Sequence, residues 1–125
     1  MNFNKMFELT EKTEIDTESL ITKVNTDFLT LYQQKNINSY TETLKDLLEL
    51  AVHLEYDFVL KYFGAAPIAF PDERYQFQEI FKCMGTRKGN KDWFLNLFSL
   101  FLGTAAVFNF DMSEVEKNFL EEKDS

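Results

Sequence analysis

Cysteine is almost absent from this chain. Cys83 stands alone among 125 residues, which excludes an intramolecular disulfide framework and the multi-cysteine patterns that hold structural zinc. A reducing, cytoplasmic setting is the expectation that fits. Positive charge is also scarce: 13 Lys and Arg stand against 21 Asp and Glu, for a formal charge of -8. Binding a nucleic-acid duplex through its phosphates needs a surplus of cations, so the balance argues against that class of partner. No apolar run reaches the roughly 20 residues of a membrane span. The nearest, over 93–110, is interrupted by Asn96, Ser99, Gly103, Thr104 and Asn109, and no membrane association is expected. The first ten residues lack a basic start followed by an apolar run, so no secretory signal is expected either. With His53 as the only histidine, mid-helix and beside Leu50 and Leu54, a Ser-His-Asp triad is set aside.

What is present is a core. Apolar residues make up 45% of the chain, enough for one folded domain spanning 1–125. Phenylalanine is in excess, with 14 beside one Trp and two Pro. So many rings in a short chain imply a surface that a partner covers.

Helical periodicity organises most of the sequence. Residues 1–16 carry Phe3, Met6, Phe7 and Leu9 as anchors and read as a short helix or an arm. Asp16 or Thr17 can cap a helix whose apolar face is Leu20, Ile21, Val24, Phe28 and Leu31. Residues 35–38 form a turn, with Asn38 or Ser39 as the next cap. The second helix is expected over 40–63, with Leu44, Leu47, Leu48, Ala51, Leu54, Phe58 and Tyr62 as its stripe and Gly64 as its stop. A loop over 65–71 precedes a third helix over 72–84, in which Phe77, Ile80, Phe81 and Met84 face inward. The fourth helix, over 91–108, is apolar on almost every side, which marks burial from several directions. In so small a domain a second subunit is the expected extra cover, so a homodimer is anticipated. Ser113 and Glu116 have capping-box spacing at the start of a last short helix. Sustained period-two alternation and hairpin signals are missing. The expected fold is an all-α bundle of about four core helices plus short terminal helices.

Three sets of residues could carry chemistry. Cys83 sits beside an apolar face, one turn after Glu79, with no base or basic helix terminus in view, and reads as structural. The turn 85–91 holds Arg87, Lys88 and Lys91 with two glycines before a helix start, a setting suited to a phosphate. It has no preceding strand and no Gly-Lys-Ser/Thr order, so it is not a P-loop, and a solvated turn is the competing reading. Finally, Glu42, Asp46 and Glu49 share a helix face, and Asp27 on the preceding helix can approach them. Hard divalent cations need such oxygen ligands converging from more than one helix, although acids at these spacings also form ordinary solvated faces.

The order of these pieces resembles the all-α nucleoside triphosphate pyrophosphatases, in particular the MazG-like dimeric dUTPases common in phages. The segments 91–103 (KDWFLNLFSLFLG) and 108–120 (FNFDMSEVEKNFL) are similar to that family's late helix pair, and 6–12 (MFELTEK) to its N-terminal helix. The resemblance implies a Glu-rich motif on one helix and a Glu-x-x-Asp motif on the next, binding Mg²⁺ that holds a nucleoside triphosphate and activates water. The first motif falls on 26–34, where Asp27 keeps a carboxylate while Thr30 and Gln34 stand where glutamates are expected. The second falls on 43–46, where Asp46 remains and Thr43 replaces the acid. Glu42 and Glu49 neighbour these positions without matching them. Where the family usually carries Lys and Asn residues that contact nucleotide, this chain reads Glu121-Glu-Lys-Asp-Ser125, and the connection between the motif helices is cut to 35–38. Two carboxylates are thin for Mg²⁺ outside a preformed octahedral site. The expectation is a kept scaffold with impaired or lost pyrophosphatase activity, acting through a protein partner. An active Mg²⁺-dependent dUTP or NTP pyrophosphatase, releasing monophosphate and pyrophosphate, is the alternative. An unrelated phage-type helical interaction protein is the third. No residue is assigned a catalytic role.

Overall fold

A computed structural model describes residues 1–124. Seven α-helices carry the fold: α1 (Phe3–Glu8), α2 (Thr17–Gln34), α3 (Ile37–His53), α4 (Asp57–Phe63), α5 (Glu73–Gly85), α6 (Trp93–Val107) and α7 (Met112–Asp124), with one 3-10 turn at Arg87–Gly89. No strand occurs among the described residues, so the all-α expectation holds. The chain divides into two compact units, Met1–Gly64 with the chain from Asp111 onward, and Ala65–Phe110.

In the first unit α2 packs along α3, α7 also lies on α3, and α1 contacts α4. The α2 stripe is buried as its spacing requires: Leu20, Val24, Phe28 and Leu31 are fully enclosed. Asp16 caps the helix, its Oδ1 accepting from the Ser19 N–H at 2.9 Å. The next cap is Asn36, not Asn38 or Ser39: its Oδ1 accepts from the Ser39 N–H at 2.8 Å. A tighter turn suffices because Lys35 takes a left-handed conformation (φ 52°). At the other end, Asp111 Oδ1 accepts from the Ser113 N–H at 2.8 Å. The proposed capping box is therefore not formed, and Glu116 Oε1 accepts instead from the Asn2 N–H at 3.1 Å. Val115 and Phe119 bury the inner side of α7.

The long helix expected over 40–63 is two helices. Glu55 adopts a left-handed conformation (φ 64°), and the Tyr56 N–H reaches the Ala51 carbonyl at 2.8 Å while the Glu55 N–H reaches Val52 at 3.2 Å. That is a Schellman ending, built on a residue with no glycine-like signal. The redirection turns the second half of the expected stripe outward. Phe58 is 62% exposed, Tyr62 69% and Phe63 81%, so Phe58 and Tyr62 are not core residues. Their rings pack on each other, 4.5 Å between centroids.

In the second unit α5 packs against α6. Phe77 and Ile80 are buried on α5, and Phe94, Leu97, Phe98 and Phe101 on α6. Neighbouring rings along α6 sit 6.1 Å apart, Phe94 on Phe98 and Phe98 on Phe101. Apolar side chains on several sides of this helix are thus buried, as the all-round pattern requires. Its end is another Schellman turn, on Asn109 (φ 61°), with the Phe110 N–H on the Ala105 carbonyl at 2.8 Å. Among the described residues no single helix is long and apolar enough to cross a membrane.

Candidate functional site

The acids singled out by sequence lie on the α2–α3 pair. Asp27 on α2 and Asp46 on α3 meet: their carboxyl groups are within hydrogen-bonding reach across the helix seam. Burial, then the hydrogen bond and charge of Asp46, raise the Asp27 carboxyl from its usual 3.8 to about 9. Two carboxylates offer only acceptors, and Asp27 Oδ2 is buried with no donor facing it. A proton retained on Asp27 supplies the missing donor, as in other acid pairs that cannot both ionise. Holding its proton at pH 7, Asp27 donates to the Asp46 carboxyl.

Lys23 completes the cluster. Its Nζ lies 3.2 Å from Asp46 Oδ1, and the hydrogen bond and charge of Asp46, with Asp27 and Glu49 further off, hold its ammonium above the usual lysine range. Sequence reasoning passed over Lys23, although it lies one turn before Asp27 on the same face of α2, which is the signal that could have found it.

The other two acids are engaged elsewhere. Glu42 Oε1 accepts from Lys45 Nζ at 3.0 Å, and Lys45 also pairs with Glu122 on α7. Glu49 is buried, and its Oε1 accepts from the Thr13 N–H at 3.2 Å, holding the α1–α2 connection onto α3. Among the described residues no group of three or more His, Cys, Asp or Glu side chains is placed to share one metal ion. A cleft of about 240 Å³ does open beside the seam, lined by Asp27, Thr30, Gln34, Asn38, Ser39 and Glu42. Thr30 and Gln34 therefore stand in the wall of this cleft, contributing neutral groups where the resemblance implies carboxylates. Thr43 is fully buried, its hydroxyl donating to the Ser39 carbonyl at 2.9 Å, and it offers no ligand.

The basic turn belongs to the second unit. Arg87 Nη1 donates to the Met84 carbonyl at 2.8 Å, closing the end of α5, a favourable place for a cation. Lys88 and Lys91 are exposed in the same turn. Asn90 Oδ1 accepts from the Asp92 N–H at 3.0 Å, and Asp92 puts a negative charge just ahead of α6. An anion held by Lys88 and Lys91 would meet that charge.

His53 is half-buried, its Nε2 enclosed without a hydrogen-bond partner. Cys83 Sγ contacts the Trp93 carbonyl at 3.2 Å, and burial, then the Glu79 charge, pushes its thiol up from the usual value. The Cys83 contacts fit its structural reading. No protein-family model matches the chain, and neither a curated protein nor a solved structure is significantly similar to it.

Proposed function

We propose that this chain is a non-catalytic helical binding protein on the plan of the MazG-like, dUTPase-like pyrophosphatases, working through contact with protein. One observation carries the reading. Each of the four candidate metal-binding acids already has a partner inside the chain: Asp27 with Asp46, Asp46 with Lys23, Glu42 with Lys45, and Glu49 with a backbone N–H. A Mg²⁺ ion, which the resemblance implies, requires a converging, nearly octahedral oxygen set whose charge it neutralises. The residues do not fit it, since proton and lysine have taken that role and the cleft wall offers Thr30 and Gln34. Two-metal hydrolysis rests on ions that offset charge on the attacking and leaving oxygens, and no step of that kind is assigned to this site.

The aromatic face of α4 supports the binding part of the proposal. Phe58, Tyr62 and Phe63 are large, exposed and adjacent, the composition enriched at protein interfaces. The face is flanked by Asp57 and Lys61, 3.9 Å apart. With one acid and one base beside the rings it is complementary to itself, as a two-fold interface requires. A second copy of the chain is therefore the proposed partner, giving the homodimer a different interface from the α6 surface first suspected.

The test is a pyrophosphate-release assay with dUTP and the common NTPs in Mg²⁺ or Mn²⁺. No turnover above background is expected. Release that disappears in an Asp46→Asn variant would overturn the reading in favour of a working pyrophosphatase.

A further inference from the structure

The Ala65–Phe110 unit contains a second cleft, unrelated to the acids on α2 and α3, and its wall is held with unusual firmness. Gln76, fully buried on α5, turns its amide onto neighbouring backbone and, at 3.5 Å, the Thr104 hydroxyl. Its Oε1 accepts from the Phe70 N–H at 2.8 Å. Its Nε2 donates to the Ile68 carbonyl at 2.8 Å and the Leu100 carbonyl at 2.9 Å. The Ile68 N–H in turn donates to the Ser99 carbonyl at 2.9 Å. Gly103 makes the approach feasible, since a Cβ there would lie 1.8 Å from the Ile68 oxygen. The 65–70 segment is thus pinned onto α6 from three directions. A wall fixed before any ligand arrives loses no ordering entropy on binding, which is how binding sites are preorganised.

Between this wall, α5 and the start of α6 lies a cleft of about 270 Å³. That exceeds several waters at about 30 Å³ each and falls just under the range of drug-sized pockets, roughly 300–1,000 Å³. One small metabolite fits; a peptide does not. Ile68, Phe70 and Leu100 supply an apolar side, and Glu79 and Lys82 line the α5 side. These two charges stand at i and i+3 on one helix face, with Cβ atoms about 5–6 Å apart. Neither forms an ion pair among the described residues. Cys83, Thr86, Asn90 and Asn96 complete the lining.

The charges select the ligand. An anion would meet Glu79, a cation would meet Lys82, and a neutral apolar molecule would use neither charge. A zwitterion satisfies both. We propose that this cleft binds a free α-amino acid with an aliphatic side chain, its ammonium on Glu79, its carboxylate on Lys82 and its side chain against Ile68, Phe70 and Leu100. The site is independent of the nucleotide question.

Thermal unfolding of the full chain in L-leucine or L-methionine tests this. At ten times Kd, linkage shifts the unfolding equilibrium about elevenfold, a rise in Tm of about 3–6 °C. The rise should saturate. N-acetyl-L-leucine, lacking the ammonium, and L-leucinamide, lacking the carboxylate, should each fail to produce it. Glu79→Gln and Lys82→Met should abolish the L-leucine response while leaving the far-UV spectrum unchanged. Absence of a saturable response to every one of the aliphatic amino acids would overturn the proposal. So would an equal response to N-acetyl-L-leucine, or a response retained in Glu79→Gln.

Discussion

Replacing Asp27 by asparagine tests the acid pair directly. With its carboxyl raised from 3.8 to about 9 by burial and by Asp46, Asp27 is protonated in the folded chain and ionised in the unfolded chain across the interval between those values. The folded state then binds the extra proton, so this group's effect on stability becomes steadily less favourable as pH rises from about 4 to about 9. Five units at 1.36 kcal/mol each would reach about 7 kcal/mol in a sealed interior. Asp27 is only half-buried, and solvent screening reduces this to about 2–3 kcal/mol. Asparagine keeps a donor to Asp46 and cannot ionise. Urea unfolding followed by far-UV circular dichroism at pH 4.5, 7 and 9 should therefore find the variant near wild type at pH 4.5. At pH 9 it should be more stable by about 2–3 kcal/mol, a gain of roughly 10 °C in Tm at this size. A difference that stays constant with pH, or a variant weaker at pH 9, would refute the shared-proton description.

Gly103→Ala should cost at least about 3 kcal/mol, because a Cβ 1.8 Å from the Ile68 oxygen forces apart a wall held by Gln76 and Ser99; a near-native denaturation midpoint would contradict the geometry. Glu55→Gly should stabilise by about 0.5–1 kcal/mol, since glycine occupies the left-handed conformation at φ 64° without strain, and calorimetry would detect loss instead of gain if the Schellman ending were absent. Tyr62→Ser with Phe63→Ser should shift light-scattering mass toward monomer while leaving Tm within about 1 °C, because both side chains are largely exposed; dimers that persist would move the interface elsewhere.

The α2 and α3 stripes, the Asp16 cap and the burial of α6 were all legible in the sequence. They depend on contacts within four residues or on an overall apolar content that no solvated arrangement could tolerate. The approach of Asp27 to Asp46 was also legible, because two antiparallel helices joined by a short turn bring one face of each together. Three decisions were not. The break at Glu55 uses a residue that carries no helix-stop signal, so its left-handed backbone follows from the chain's need to redirect α4 and not from local preference. The exposure of Phe58 and Tyr62 is a consequence of that turn, and periodicity alone had placed them inside. The disposition of the acids was the third: sequence spacing gathered four carboxylates, but whether an acid faces a metal, a lysine, a proton or a backbone N–H depends on what the neighbouring element presents to it. By itself, then, the sequence determined a helical protein with acids on the facing sides of two consecutive helices. Only the tertiary structure decided that Lys23, Lys45 and the Thr13 N–H already occupy those acids, because charge is neutralised by whatever is near in space, whatever its distance along the chain.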